Sequence, residues 1–249
     1  MEDDILSSTV DIPTQELKRL CVSELAVRLL NPDEFRVART YDEFVSWVEE
    51  KTERMSDSVE TRQILRLCSS PYKEFREEVL PFRVFADQVI RGTTATIEFP
   101  IDDSNRDVIV RGLNGDGSVQ LIEIGSTVWD YEQRLRMEML SFKGSSPGFG
   151  PIAKERRTET GYRLNAEGMA QEVNAVVNEC IERVLDLIQR KNRKAYEART
   201  WLLVAFFYNP LFDESDNRRI VETVATGMRN IEFDRVYLVA GLCFCHRVR

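Results

Sequence analysis

Seven consecutive apolar residues, Trp-Leu-Leu-Val-Ala-Phe-Phe at 201–207, form the longest strongly apolar run in a chain of 249 residues. Seven residues are too few to cross a bilayer as a helix. With no polar alternation, the run predicts a strand buried on both faces, and such a strand needs helices above and below its sheet. The fold class that follows is α/β. Val-Tyr-Leu-Val-Ala-Gly-Leu at 236–242 predicts a second strand of this kind, and 215–228 predicts a helix between the two.

The period of the apolar pattern divides what precedes. Leu17, Leu20, Cys21, Leu25 and Leu29 recur at helical spacing and predict a helix over 11–30. Further helices are expected over 41–53, over 59–68 and onward from Pro71, where Phe75, Val79, Phe82 and Ala86 mark one face and Pro81 a kink. Residues 1–70 are thus expected to be a helical segment packed on a core formed by 71–249, because no Pro-, Gly- or Ser-rich linker separates them. Past Gly92 the period changes, and 93–99, 107–111 and 119–124 predict strands, the last two joined by the turn Leu-Asn-Gly-Asp-Gly-Ser at 113–118. A helix over 129–142, a mobile breaker-rich loop over 144–151 and a long helix over 164–197 complete the expectation.

Composition narrows the chemistry. Forty-two acids against thirty-four bases give a net charge of -8, which excludes a polycationic coat for nucleic acid but is compatible with acidic metal ligands and a local basic rim. One histidine excludes a site needing several imidazoles, and five cysteines form no secreted-protein framework. Cys243, Cys245 and His246 lack a second ligand pair for zinc, and the cysteines are expected to be structural or free. The sequence has neither a Gly-x-Gly-x-x-Gly turn before a helix nor a phosphate-cradling Gly-Lys-Ser/Thr loop. The start of the chain carries no basic stretch followed by an apolar one, so the expected location is cytoplasmic, with no membrane span.

Three acids sit where acids are costly. Asp107 opens a β-branched strand, Glu123 interrupts the apolar Val-Gln-Leu-Ile-Glu-Ile at 119–124, and Glu78 borders an apolar helix face. A hairpin brings 107 and 123 onto neighbouring strands, and two carboxylates there must share a proton or hold a cation. Oxygen ligands suit Mg²⁺ or Mn²⁺. The bland alternative has Asp107 capping a turn and Glu123 either pointing outward at a sheet edge or pairing with Arg136.

A helix with a glutamate, a hairpin carrying an aspartate, and a strand ending in Glu123-Ile124-Gly125 together resemble the PD-(D/E)xK restriction-endonuclease-like nucleases over about 72–207. The resemblance implies a mixed central sheet flanked by helices, with the N-terminal helices as an extension. It implies hydrolysis of phosphodiesters, in DNA before RNA, with Asp107, Glu123 and the main-chain carbonyl of Ile124 holding Mg²⁺ or Mn²⁺. Glu78 and Gln133 would join the catalytic group, and Arg134, Arg136, Lys154, Arg156 and Arg157 would face the substrate. Gly125 stands where the family's lysine belongs; some members supply the missing amine from another element, and the candidates here are Arg134, Arg136, Lys143 and Lys154. The family's Pro-Asp pair is missing too, and Asp103 rivals Asp107. Pro32-Asp33 followed by Glu49-Glu50-Lys51 matches the motif literally, but helical spacing and the lack of a hairpin reject it. Lys154–Arg157, Arg190–Lys194 and Arg199 form the basic clusters expected to rim a site. The alternative function is a catalytically inactive nuclease-like scaffold that binds nucleic acid, a protein partner or a second copy of itself.

Overall fold

The computed structural model describes residues 6–101, 106–128, 131–157, 159–206, 212–241 and 243–249. In chain order the first elements are β1 (Leu6–Pro13), α1 (Thr14–Cys21), α2 (Glu24–Leu29), β2 (Arg39–Thr40), α3 (Tyr41–Ser56) and α4 (Val59–Leu67). Next come α5 (Tyr72–Glu74), a π-helical turn (Phe75–Val79), α6 (Leu80–Val89), β3 (Thr96–Glu98), β4 (Val108–Arg111) and β5 (Val119–Ser126). Then follow α7 (Tyr131–Lys143), β6 (Ile152–Arg157), β7 (Gly161–Gly168), α8 (Val173–Asn192), β8 (Trp201–Ala205), α9 (Glu214–Gly227), β9 (Arg235–Ala240) and β10 (Phe244–Arg247).

The chain divides into two compact units, each made of three segments. The first unit takes 1–30, 52–73 and 129–172, and the second takes 31–51, 74–128 and 173–249. In the first, β1, β7 and β6 form an antiparallel sheet, and Ile12, Leu164 and Ala166 from it pack with Leu135 and Met139 of α7. Cys21 and Cys68 are joined by a disulfide there, which makes these two cysteines structural, while Cys180, Cys243 and Cys245 are free. Three segments depart from the sequence reading. Residues 6–13 form a strand that takes the first three residues of the helix expected over 11–30, because Val10 and Ile12 alternate and pair with β7. The predicted long helix over 164–197 starts only at Val173, because Tyr162, Leu164 and Ala166 also alternate and continue β7. The basic stretch at 154–157 lies in a strand of the same sheet. Residues 144–151 hold neither helix nor strand, as their breakers predict.

The second unit holds a seven-stranded mixed sheet in the order β10-β9-β8-β5-β4-β3-β2. The hairpin of β4 and β5 is antiparallel, and β8 runs parallel to β5 and to β9, which confirms the mixed α/β sheet expected. Every residue of β8 is buried, as its unbroken apolar composition requires. The predicted strand 236–242 shifts to Arg235–Ala240, and Cys245 and His246 belong to the added edge strand β10. Register fixes which residues share a face. Ile122 pairs with Trp201 and Ile124 with Leu203, while Glu123 pairs with Leu202 and Gly125 with Val204. The α6 side chain Phe85 meets the rings of Trp201 and Tyr237, so α6 covers the Ile122–Ile124 face. Leu187 of α8 lies against Gly125, so α8 covers the Glu123 face. Pro81, which lacks an amide donor, follows the π-helical turn, whose wider winding carries the helix past it without a break. Among the described residues no helix is long and apolar enough to cross a membrane.

Candidate active site

Antiparallel pairing places Val108 opposite Ile122, and one further step along the ladder sets Asp107 opposite Glu123. The hydrogen bond from the Asp107 amide to the Ile122 carbonyl, 3.0 Å, continues the ladder to that point. Asp107 Oδ2 accepts from the Ile124 amide at 2.6 Å. The two acids therefore flank the backbone of Ile124 on one face of the hairpin. Glu123 is almost fully buried and Asp107 half-buried. Burial and, next, the negative charge of Glu123 push the Asp107 carboxyl up to about 7, opposed by the Ile124 amide and by the Lys191 and Lys194 ammonium groups.

A cation reaches the carboxylate pair from α8. Lys191 Nζ donates to Glu123 Oε1 and, at 3.1 Å, to the Ile124 carbonyl. Tyr196, just beyond the helix, donates its hydroxyl to the same Glu123 oxygen at 3.2 Å and stacks obliquely on Phe233. Burial and the Glu123 charge hold that phenol well above its usual range. The end of α8 is pinned by Asn192, which donates to the Asn230 carbonyl at 2.9 Å and accepts from the Glu232 amide at 2.7 Å.

Gly125 lets α8 pack closely on the strand. A Cβ at this residue would lie 2.9 Å from Leu187 Cδ2 and 3.3 Å from Cδ1. Without a side chain at 125 the helix closes on the strand, and Lys191, one turn beyond Leu187, then reaches the Ile124 carbonyl. A lysine placed at 125 would require α8 to withdraw. The sequence reading missed Lys191 as this cation and assigned it to the basic rim. The signal was its phase, since Val177, Val184, Leu187 and Ile188 form the buried stripe of α8 and Lys191 extends it.

The other expected site residues belong to other elements. Glu78 is half-buried on the π-helical turn that packs against β5 and leads into α6, the helix of the opposite face. Gln133, Arg134 and Arg136 are on α7, and Lys154, Arg156 and Arg157 on β6, all in the first unit. Within that unit Arg134 pairs with Glu138, Arg136 binds Glu132 and the Gly150 carbonyl, and Lys154 lies over the Tyr162 ring. The fallback pairing of Glu123 with Arg136 is thus replaced by Glu123 with Lys191. Asp103 falls outside the described residues. The literal motif match is structural: Lys51 is buried and paired with Glu34 at 2.7 Å, next to the Trp47 ring nitrogen on the same carboxylate.

Among the described residues no group of three or more His, Cys, Asp or Glu side chains is arranged to hold a metal ion. The oxygen set consists of two carboxylates and one carbonyl, which is what Mg²⁺ takes when water completes its shell. Comparison with family models, curated proteins and solved structures returns no match.

Proposed function

We propose that this chain is a metal-dependent phosphodiester hydrolase of the restriction-endonuclease-like kind, acting on DNA, with its site at Asp107, Glu123 and Lys191. The observation that carries the reading is that two register-paired carboxylates and one lysine meet at the backbone of Ile124, Asp107 at its amide and the Glu123-bound Lys191 at its carbonyl. Asp107, Glu123 and that carbonyl would hold Mg²⁺ or Mn²⁺. Once bound, the ion supplies polarisation of the phosphate and a more nucleophilic water. The raised proton affinity of Asp107 supports the fit, because it reports excess negative charge in a desolvated place. Lys191 brings a positive charge to a phosphate at the same oxygens and, unlike an arginine, can exchange a proton. Tyr196 fixes the Glu123 carboxylate by its hydrogen bond.

The test is cleavage of single-stranded, duplex and branched DNA with Mg²⁺ or Mn²⁺. Asp107→Asn and Glu123→Gln should keep the circular dichroism of the wild type and lose cleavage, while Lys191→Met should lose about 10²–10³-fold. A wild type that cleaves none of these substrates sinks the hydrolase reading.

One observation favours a second reading. The Lys191 ammonium occupies the two oxygens that a metal would need, Glu123 Oε1 and the Ile124 carbonyl, and so neutralises the pair without any ion. That suits an inactive nuclease-like scaffold that binds nucleic acid or protein. Calorimetric titration separates the two: a wild type that takes no Mg²⁺ or Mn²⁺, beside a Lys191→Met chain that does, favours the scaffold.

A further inference from the structure

The α8 helix covers the Glu123 face of β5 only as far as the carboxylates. Beyond them the same face opens into a cleft of about 290 Å³ in the second unit. Alternation puts Leu121 and Val119 on the face of Glu123, and register puts Ile109 and Arg111 beside them in line with Asp107. Ile109 and Leu121 thus line the cleft, and Arg106, Arg111 and Arg199 bring guanidinium groups to it. From Glu123 to Val119 the strand advances roughly 14 Å at the usual rise.

Two features show that this edge is held in place. Arg199 adopts a left-handed backbone, φ +66°, that a side chain of its kind seldom takes. The turn is fixed by Gln120 Nε2 donating to the Arg199 carbonyl at 2.7 Å, and by the Thr200 amide and hydroxyl donating to the Glu197 carbonyl at 3.2 and 2.7 Å. Arg106 is braced by Glu197 at 3.0 Å, and Arg111 is 3.7 Å from Glu98 with half of its side chain exposed. Three arginines against two carboxylates leave a local positive charge in a chain whose net charge is -8. Planar guanidinium forks suit phosphate oxygens, and an apolar floor between them suits sugar and base.

We propose that this cleft binds the phosphate backbone of the nucleic-acid strand beside the phosphodiester held at Asp107 and Glu123. The proposal rests on the hydrolase reading for its position and is separable from it by experiment. The full chain is titrated against fluorescein-labelled single-stranded and duplex DNA by anisotropy across a salt series, with cleavage followed in parallel. Arg111→Gln/Arg199→Gln should weaken binding by about tenfold and flatten the log–log salt slope by about 1.4–1.8, two phosphate contacts at 0.7–0.9 each. Glu123→Gln should abolish cleavage while keeping the salt slope of the wild type. If the double variant binds with unchanged affinity and slope while the wild type cleaves, the cleft is overturned and the hydrolase stands. If the wild type binds without cleaving and the double variant weakens that binding, the cleft stands and the hydrolase falls. A wild type that binds no DNA overturns the cleft.

Discussion

Replacing Lys191 with Met isolates the electrostatics of the site. The lysine side chain is 18% exposed and its partner Glu123 only 6%, so the substitution leaves a carboxylate with little access to water next to Asp107. Breaking a buried pair by removing one partner costs about 3–5 kcal/mol. The surviving Tyr196 hydrogen bond and the partial exposure of the lysine argue for the lower end, about 3 kcal/mol at pH 8. The sign of the pH dependence follows from the charge. The Lys191 charge holds the Asp107 carboxyl down, so losing it raises the proton affinity of folded Asp107 further above that of the unfolded chain, and the variant's stability falls as pH rises. The deficit should therefore shrink on going from pH 8 to pH 5.5, where Asp107 carries a proton. Glu123→Gln in the same chain should recover most of the loss at pH 8, because the uncompensated charge is gone. Urea denaturation in EDTA, followed by circular dichroism at both pH values, measures all three chains. A loss below about 1 kcal/mol at pH 8, the range of an exposed pair, or a deficit that does not change with pH, refutes the reasoning.

Gly125→Ala should destabilise the second unit by about 1–3 kcal/mol through overpacking against Leu187; Leu187→Ala in the same chain should cost less than the sum of the two single changes, read by urea denaturation as a double-mutant cycle. Asp107→Asn should remove a pH dependence of the wild type: with the carboxyl raised from 3.8 to about 7, wild-type stability falls as pH rises through that window and levels above it, so the variant should gain on the wild type by up to about 4 kcal/mol between pH 4 and pH 7 in EDTA. Cys21→Ser should destabilise the first unit by about 4 kcal/mol, the chain-entropy value for a 47-residue separation, and hydrogen exchange should accelerate in α1 and α4 before it does in β8.

The hairpin at 107–123 and the strand at 201–205 were legible because their signals are local: an Asn-Gly-Asp-Gly turn and an unbroken apolar run. The carboxylate pair followed from hairpin register. The cation did not, since Lys191 reaches Ile124 only through the packing of Leu187 on Gly125, a contact between residues 62 apart in sequence that no local pattern encodes. For β1 the helical stripe Leu17–Leu20–Cys21 extended the reading backward to Asp11 and so over Ile12, whose alternation with Val10 spans too few residues to compete with it. The disulfide was hidden for the same reason as Lys191: Cys21 and Cys68 each fit an apolar helix face, and their 5.2 Å Cα separation arises only when α1 and α4 pack. Lys154 and its neighbours were read by charge, whereas their backbone was committed to β6.

The interleaving of segments in the two units governs the order in which the chain can fold during synthesis. β1 pairs with β7, from Leu6 opposite Gly168 to Pro13 opposite Gly161, so the earlier strand is made about 150 residues before its partner. At roughly 5–20 residues per second the interval is on the order of 8–30 s. Throughout that time β1 presents unpaired amides and carbonyls, as any free strand edge does. The mixed sheet is under a similar constraint, because β5 must wait for β8 on one of its sides. The first unit has all of its segments once residue 172 is made, whereas the second must wait for 173–249, and a nascent chain halted near residue 150 holds two half-built sheets, the state in which a holding chaperone has most to bind.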